Sequence, residues 1–240
     1  MLSVKKITVE REGKKVVNGL SLNVRKGEMH ALMGPNGSGK TSLCATLLGS
    51  PSYRIIKGSI AFGKKNIAKL ETEERAKQGM FLSFQEVPEI QGVGMSSFLR
   101  TVAKKQKGGD PRAAVEHVEK IAKQLGLSAH FMERFLNDGF SGGEKRKSEI
   151  LQLVAANPKL AILDEIDSGL DIDSLKSIAA ILKRMVKKGM GLLLVSHSPR
   201  IIKMLKPDYI HVMCKGTIVT SGGKEIVKKL EKEGYKSYAQ

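Results

Sequence analysis

The sequence predicts an α/β fold: a mainly parallel sheet buried between helices, with a helical lobe inserted into it. Three observations carry this. The runs LAIL (160–163) and GLLLV (191–195) are short and wholly apolar, like strands covered on both faces. Between them Leu175, Ile178, Ala179, Leu182, Met185 and Val186 recur at helical spacing. From Glu86 to about Ala156 strand patterning gives way to helical patterning.

At the start of the chain, VKKITVE (4–10) and VVNGLSLNV (16–24) flank the turn EGKK and read as two N-terminal strands. MHALM (29–33) reads as a buried strand, followed by a glycine-rich turn and an apolar helix through about Leu48. SIAFG (59–63) is a further short strand, and MFLSF (80–84) an apolar run ending on Gln85. In the lobe, Asp110 and Pro111 frame one helix at its start and Gly126 stands just past its end. The expected organisation is a single domain over 1–240. It has an α/β body at about 1–85 and 157–240 and a helical part at about 86–156.

The chain holds 41 Lys and Arg against 24 Asp and Glu, a formal charge of +17. Aromatic content is only 5%, and no finger, helix-turn-helix or stacking pattern accompanies the charge. A nucleic-acid role is therefore not favoured; solvated helix faces, an anionic nucleotide and an acidic protein partner account for the lysines better. No apolar stretch approaches the roughly 20 residues that span a bilayer. MLSVKKITVE has no apolar signal segment, and the two cysteines, Cys44 and Cys214, lack metal-like spacing. A cytoplasmic, reducing setting is expected, with both thiols as core filler.

The turn after MHALM reads Gly34, Pro35, Asn36, Gly37, Ser38, Gly39, Lys40, Thr41, a full P-loop pattern between a strand and a helix. Its glycines let backbone N–H groups close around phosphate oxygens, at the positive end of the helix. Lys40 is expected to reach the β- and γ-phosphates of ATP, and the Thr41 hydroxyl to ligate Mg²⁺. Five acids fall in ten residues of DEIDSGLDIDSL: Asp164, Glu165, Asp167, Asp171 and Asp173. Such crowding of like charge calls for a cation nearby. Asp164 closes LAIL, the place from which a carboxylate faces a P-loop and holds Mg²⁺, and Glu165 is placed to polarise the attacking water.

GFSGGEKRK, from Gly139, offers a second anion cradle. Ser141 and Glu144 have capping-box spacing. A cap alone does not call for Gly142 and Gly143, each of which weakens a helix by up to about 1 kcal/mol relative to alanine. Two cradles in one chain suggest a nucleotide held by one copy and completed by Ser141, Gly142 and Gly143 of another.

P-loop, Gln85, SGGE, LAILDE, SGLD and His197 in LLLVSHS stand in the order of the ABC-type ATPases, which the chain resembles over nearly its whole length. The resemblance implies a RecA-like parallel-sheet core with an N-terminal antiparallel β subdomain and an inserted helical subdomain. It implies that Gln85 contacts Mg²⁺ and the attacking water and links the site to a partner, that His197 contacts the γ-phosphate, and that Asp171 belongs to a loop crossing an ATP-dependent dimer. Two departures stand out. Arg11 and Glu12 occupy the region of the usual adenine-stacking aromatic, and Phe140 and Glu144 replace the commoner Leu and Gln. Within the family, ERAKQGMFLSFQEVPEIQGV, GFSGGEKRKSEILQL and LAILDEIDSGLDIDSLK resemble the SufC subfamily, the ATPase subunits of SUF iron–sulfur cluster assembly. That implies work with a SufB/SufD-type scaffold, or SufB alone, outside the membrane. The ATP-binding subunit of a membrane transporter is the alternative within the family. A DNA-repair ATPase would need a long coiled coil between P-loop and signature, and a non-hydrolysing nucleotide binder is the fourth reading. Asp173 is expected to cap the helix beginning near Ser174, worth about 1 kcal/mol; for Asp167 there is no account beyond family pattern.

Overall fold

A computed structural model describes residues 1–83, 87–105 and 110–238. By internal contacts the chain divides into two units, one of 1–82, 159–165 and 183–240 and another of 83–158 and 166–182.

The first unit begins with β1 (Leu2–Arg11) and β2 (Lys14–Val24), joined by a tight turn at Glu12 and Gly13. Alternation drives the pairing: Leu2, Val4, Ile7, Val9, Val17, Leu20, Leu22 and Val24 all point inward and are buried. β3 (Met29–Met33) follows, then α1 (Lys40–Leu48), β4 (Arg54–Phe62) and β5 (Lys65–Asn66), α2 (Thr72–Lys77) and β6 (Met80–Leu82). β4 starts five residues before the apolar run that signalled it. Arg54 and Ile55 pair with Glu10 and Val9 of β1, so backbone pairing extends the strand beyond its hydrophobic signal.

In the second unit lie β7 (Ile90–Gly94), α3 (Met95–Lys104), α4 (Pro111–Gln124), α5 (Ala129–Glu133), β8 (Phe135–Leu136) and α6 (Gly142–Ala156). Asp110 caps α4 by accepting the Arg112 N–H at 2.9 Å, the role its sequence position implies. Leu99, Val118, Ile121 and Leu151 are buried, and the Phe131 and Phe140 rings pack with centroids 4.3 Å apart.

The chain continues through β9 (Leu160–Asp164), α7 (Ile172–Lys187), β10 (Gly191–Val195), α8 (Pro199–Leu205), β11 (Tyr209–Cys214), β12 (Thr217–Gly222) and α9 (Glu225–Glu233). The large sheet runs β12-β11-β3-β10-β9-β6, parallel except at the β12 edge, and the small antiparallel sheet runs β2-β1-β4-β5. One hydrophobic cluster joins the small sheet to α1 and the large sheet, through Leu22, Ile60, Leu43, Leu47, Leu32, Ile162 and Leu193. Cys44 belongs to that cluster, and both cysteines are buried and unpaired. The fold is thus the α/β architecture of a P-loop ATPase, with the antiparallel β subdomain expected of it. Among the described residues no helix is long and apolar enough to cross a membrane.

Two buried polar devices brace the first unit. Arg75, 2% exposed, donates to the carbonyls of Thr46, Leu47, Leu70 and Ala68, and so satisfies the C-terminal end of α1. On β3 and β11, His30 Nδ1 lies 3.0 Å from His211 Nε2, His30 Nε2 is 3.1 Å from Glu28 Oε2, and His211 Nδ1 is 2.7 Å from Ser221 Oγ. With both rings neutral, one run of protons satisfies this chain: Ser221 donates to His211, His211 to His30, and His30 to Glu28. A further proton on His30 Nδ1 would set two N–H groups against each other, and one on His211 Nδ1 would require the Ser221 hydroxyl to turn and accept. Burial pushes His211 down to about 4, with His30 adding to the effect.

Because the folded pKa lies below the unfolded value, the neutral pair contributes fully above about pH 6.5, and its contribution is lost as pH falls toward 4. The loss should reach at most about 3 kcal/mol at the acid end. Urea unfolding of the wild type and His211→Gln between pH 7.5 and 4.5 checks this. The wild type should lose stability faster than the variant, and parallel curves would refute the protonation account.

Candidate functional site

β3, β10 and β9 run side by side, with Val195 opposite both Leu32 and Asp164. Their C-terminal ends therefore bring the P-loop, the Asp164–Glu165 pair and the segment holding His197 to one edge of the sheet, where an open α/β sheet places its ligands.

The P-loop is tightly shaped. A Cβ on Gly34 would stand 2.2 Å from the Met213 carbonyl oxygen, so only glycine fits there. Gly39, at φ 102°, precedes the first residue of α1, and a Cβ on it would stand 2.6 Å from the Val16 carbonyl. The β11–β12 turn grips the loop from outside: the Gly216 N–H donates to Ser38 O at 2.9 Å, and the Asn18 N–H donates to Gly216 O at 2.8 Å. Tyr235, a residue the sequence reading did not single out, accepts from the Gly34 backbone; burial raises its phenol and this bond opposes the rise.

Lys40 is 6% exposed and donates from Nζ to the Gly34 and Pro35 carbonyls at 2.8 and 3.0 Å. Burial pushes its pKa down, while Glu165 and Asp164 pull it back up. The ammonium is thus held inside the loop with two carboxylates in electrostatic range. Ser38 Oγ is, among the described residues, the one buried side-chain nitrogen or oxygen without a hydrogen-bond partner. An unpaired buried hydroxyl in a ring of backbone amides fits an oxygen-rich anion. Asp164, 3% exposed at the end of β9, and the Thr41 hydroxyl in the first turn of α1 are hard oxygen donors of the kind Mg²⁺ takes.

Glu165 follows in a left-handed conformation, φ 51°, with its N–H donating to Val195 O at 2.9 Å. A non-glycine residue in that region is uncommon and here turns the side chain out of the strand's path. Its Oε1 meets His197 Nδ1 at 3.0 Å. The structure therefore joins two residues that the sequence sets 32 positions apart. Gln85, expected at the same edge, lies outside the described residues.

The other expected cradle is in the second unit. Ser141 caps α6, its hydroxyl accepting the Glu144 N–H at 3.3 Å while its own N–H donates to Glu144 Oε2 at 2.8 Å. The capping box is real, and Gly143 is constrained beyond it. A Cβ on Gly143 would stand 3.2 Å from the Gly169 carbonyl oxygen, whereas the side of Gly142 opens to free space. Beside Gly169, Asp171 accepts from the N–H groups of Asp173 and Ser174 and from the Ser174 hydroxyl, at 2.9, 2.8 and 2.6 Å. These bonds, Ser174 first, hold its carboxyl at about 2. Capping of α7 thus falls to Asp171, which corrects the expectation for Asp173. The helix begins at Ile172, two residues earlier than expected, so the acid one step before it is the one that reaches the first free N–H groups. Asp173 instead pairs with Lys176 at 3.0 Å.

At the adenine-side region flagged by Arg11, the guanidinium donates to the Tyr53 hydroxyl at 3.0 Å and lies over its ring at 5.4 Å. An aromatic is therefore beside the position after all, supplied by a residue 42 positions further on.

Against known proteins, the chain matches the family described as "ABC transporter" over residues 17–168. It is 43% identical over 238 residues to "Vegetative protein 296" of Bacillus subtilis, covering 98% of this chain and 91% of that one. It is also 43% identical over 241 residues to the "Probable ATP-dependent transporter ycf16" of Cyanophora paradoxa, covering 98% and 93%. A "Probable ABC transporter ATP-binding protein" of Streptococcus pyogenes is 41% identical over 244 residues, covering 100% and 95%. Among solved structures, the ADP conformation of an ATP-binding cassette superposes with a TM-score of 0.76 at 26% identity, covering 97% and 95%. The ATP-binding subunit of an ABC transporter gives 0.83 at 21% identity over 97% and 93%, a likeness of fold.

The tight contact at Gly34 makes a direct prediction. Gly34→Ala should lower ATP affinity at least about 100-fold, since the loop must leave the Met213 carbonyl to admit the methyl group. Equilibrium binding of a fluorescent ATP analogue checks it, and near-normal affinity would show that the loop yields.

Proposed function

We propose, for a chain that belongs to the ABC transporter ATPase family, that it is the MgATP-hydrolysing subunit of a SufB/SufD-type iron–sulfur cluster assembly complex. It is an ATPase of that family, with ATP and Mg²⁺ as its nucleotide and metal. One observation carries the catalytic reading: Glu165, on a left-handed backbone, meets His197 at 3.0 Å on the sheet edge that bears the P-loop.

In this reading the amides from Gly34 to Thr41 bind the phosphates, with Pro35, Asn36, Gly37, Ser38 and Gly39 shaping the cradle. Lys40 leaves the Gly34 and Pro35 carbonyls for the phosphate oxygens, a move from two neutral acceptors to anionic ones. Thr41, Asp164 and Gln85 hold the metal, which when bound offsets charge on the phosphate oxygens. Glu165 orients and deprotonates the attacking water, and His197 holds the Glu165 carboxylate and reaches the γ-phosphate. Ser141, Gly142, Gly143 and Asp171 serve the nucleotide of a second copy, because the chain carries this anion cradle in addition to its P-loop. Within one domain, the α/β body of about 1–85 and 157–240 carries the first half-site, and the helical part of about 86–156 together with Asp171 carries the second.

The SUF assignment rests on the three sequence stretches that resemble the SufC subfamily, with the acidic run DEIDSGLDID among them. A cytoplasmic location follows from that assignment. The names of several relatives favour a second reading, an ATP-binding subunit of a membrane transporter.

Three experiments test the proposal. Glu165→Gln with MgATP should form an ATP-stabilised dimer, alone or on the scaffold, and Lys40→Ala should lower scaffold-bound ATPase by at least about 100-fold. Absence of any ATP-dependent dimer would remove the shared-site mechanism. Native pull-down should recover a SufB/SufD-type scaffold, whereas a membrane-integral partner would replace this assignment with the transporter reading.

A further inference from the structure

The stretch VPEIQGV (87–93) follows Gln85 and is a marker of the subfamily resemblance, yet no role above uses it. Its first residues are fastened at three points to the loop leading into α6 and to the first turn of that helix. The Pro88 carbonyl accepts from Asn137 Nδ2 at 2.8 Å. Glu89 Oε1 meets Lys145 Nζ, in the first turn of α6, at 2.7 Å. The Glu89 carboxylate also accepts from the Gly139 backbone; Lys145 first, then this bond, hold it below the usual carboxylate range.

Asn137 is built for the join. It is 2% exposed with φ 63°, and its Oδ1 accepts from the Ser148 hydroxyl at 2.7 Å. Both ends of the amide are engaged, so turning it toward a different partner unpairs a buried group. Ser148 lies on α6 seven residues beyond Ser141, close to two full turns, on the same side of the helix. From the other side, Arg134 donates to the Asp138 and Gly139 carbonyls at 2.9 and 2.8 Å and lies over the Phe140 ring at 4.6 Å. The loop 137–140 is therefore shaped by side chains, and two of them join it to the segment behind Gln85.

We propose that Glu89 and Asn137 are positioning residues for the Ser141–Gly143 cradle: the placement of 87–89 sets where the Ser141 hydroxyl and the two glycine amides point. This rests on the reading that the cradle closes on a nucleotide held by a second copy. The segment cannot shift relative to the signature loop without breaking a bond at Pro88 or at Glu89, so displacement there reaches the cradle directly. Gln85 lies three residues before Pro88 in the chain, which places the join next to the residue expected to sense metal, water and partner.

Glu89 and Lys145 are partly exposed, with side chains 44% and 26% accessible, so their substitution leaves folding nearly untouched. In the single subunit, Glu89→Ala should speed hydrogen exchange of the 139–143 amides about tenfold. Unchanged exchange would overturn the inference. In a Glu165→Gln background, Glu89→Ala should weaken ATP-dependent pairing about tenfold while the single subunit keeps its MgATP affinity within twofold. Lys145→Met should show part of that loss, and Lys145→Arg should restore pairing. Pairing unaffected by Glu89→Ala overturns the inference, as does an equal fall in single-subunit affinity, which would mark a general structural defect. Ser141→Ala separates the two levels. If it leaves pairing intact, the shared-site reading itself fails; if it weakens pairing while Glu89→Ala does not, only the positioning role fails.

Discussion

The contact between Gly34 and the Met213 carbonyl governs this structure. With 2.2 Å from that oxygen to a would-be Cβ, the P-loop lies flat against the end of β11. The Gly216 amide and the Val16 carbonyl complete the grip from β11–β12 and β2. A loop held by backbone on several sides keeps its amides aimed inward without a ligand, which lowers the ordering cost of binding one. The buried Lys40 ammonium depends on the same frame. Its Nζ donates to the Gly34 and Pro35 carbonyls, and Asp164 and Glu165 supply the field that keeps it charged against burial.

The two cradles are held by different means. The P-loop hangs on strand ends and backbone pairs, which are rigid and cooperative. The loop before α6 hangs on Arg134, Asn137, Glu89 and Lys145, whose bonds can be exchanged one by one. Under the proposed shared-site reading, a fixed first half-site and an adjustable second one suit an ATPase whose turnover answers to a partner. The acids of DEIDSGLDID divide along the same line. Asp164 and Glu165 belong to the strand edge, Asp171 to the start of α7, and Asp173 to a solvent-exposed pair with Lys176.

Much of this was legible in the residues. MHALM and GLLLV match their strands end to end, because a strand buried on both faces must be apolar throughout and its neighbours break the run. Asp110 and Pro111 marked a helix start because cap geometry is local. Other features were hidden because their causes are not local. The early start of β4 comes from pairing with β1, the cap of α7 moved to Asp171 once the helix began at Ile172, and Arg75 is buried only because α1 ends where its guanidinium can reach. Tyr53 and Tyr235 reach Arg11 and Gly34 from distant chain positions with no pattern to announce them.

By itself the sequence determined the P-loop, the strand–turn–helix around it, the α/β order and the family, since each is written in contiguous residues whose conformations are set by neighbours. The tertiary structure decided the rest: that Glu165 meets His197, that Ser38 is left with an unpaired buried hydroxyl, and that the segment after Gln85 is tied to the signature loop. Those facts depend on which strand ends lie adjacent and which loops touch, and pairwise distances between remote residues exist only once the sheet order and the helix packing are set.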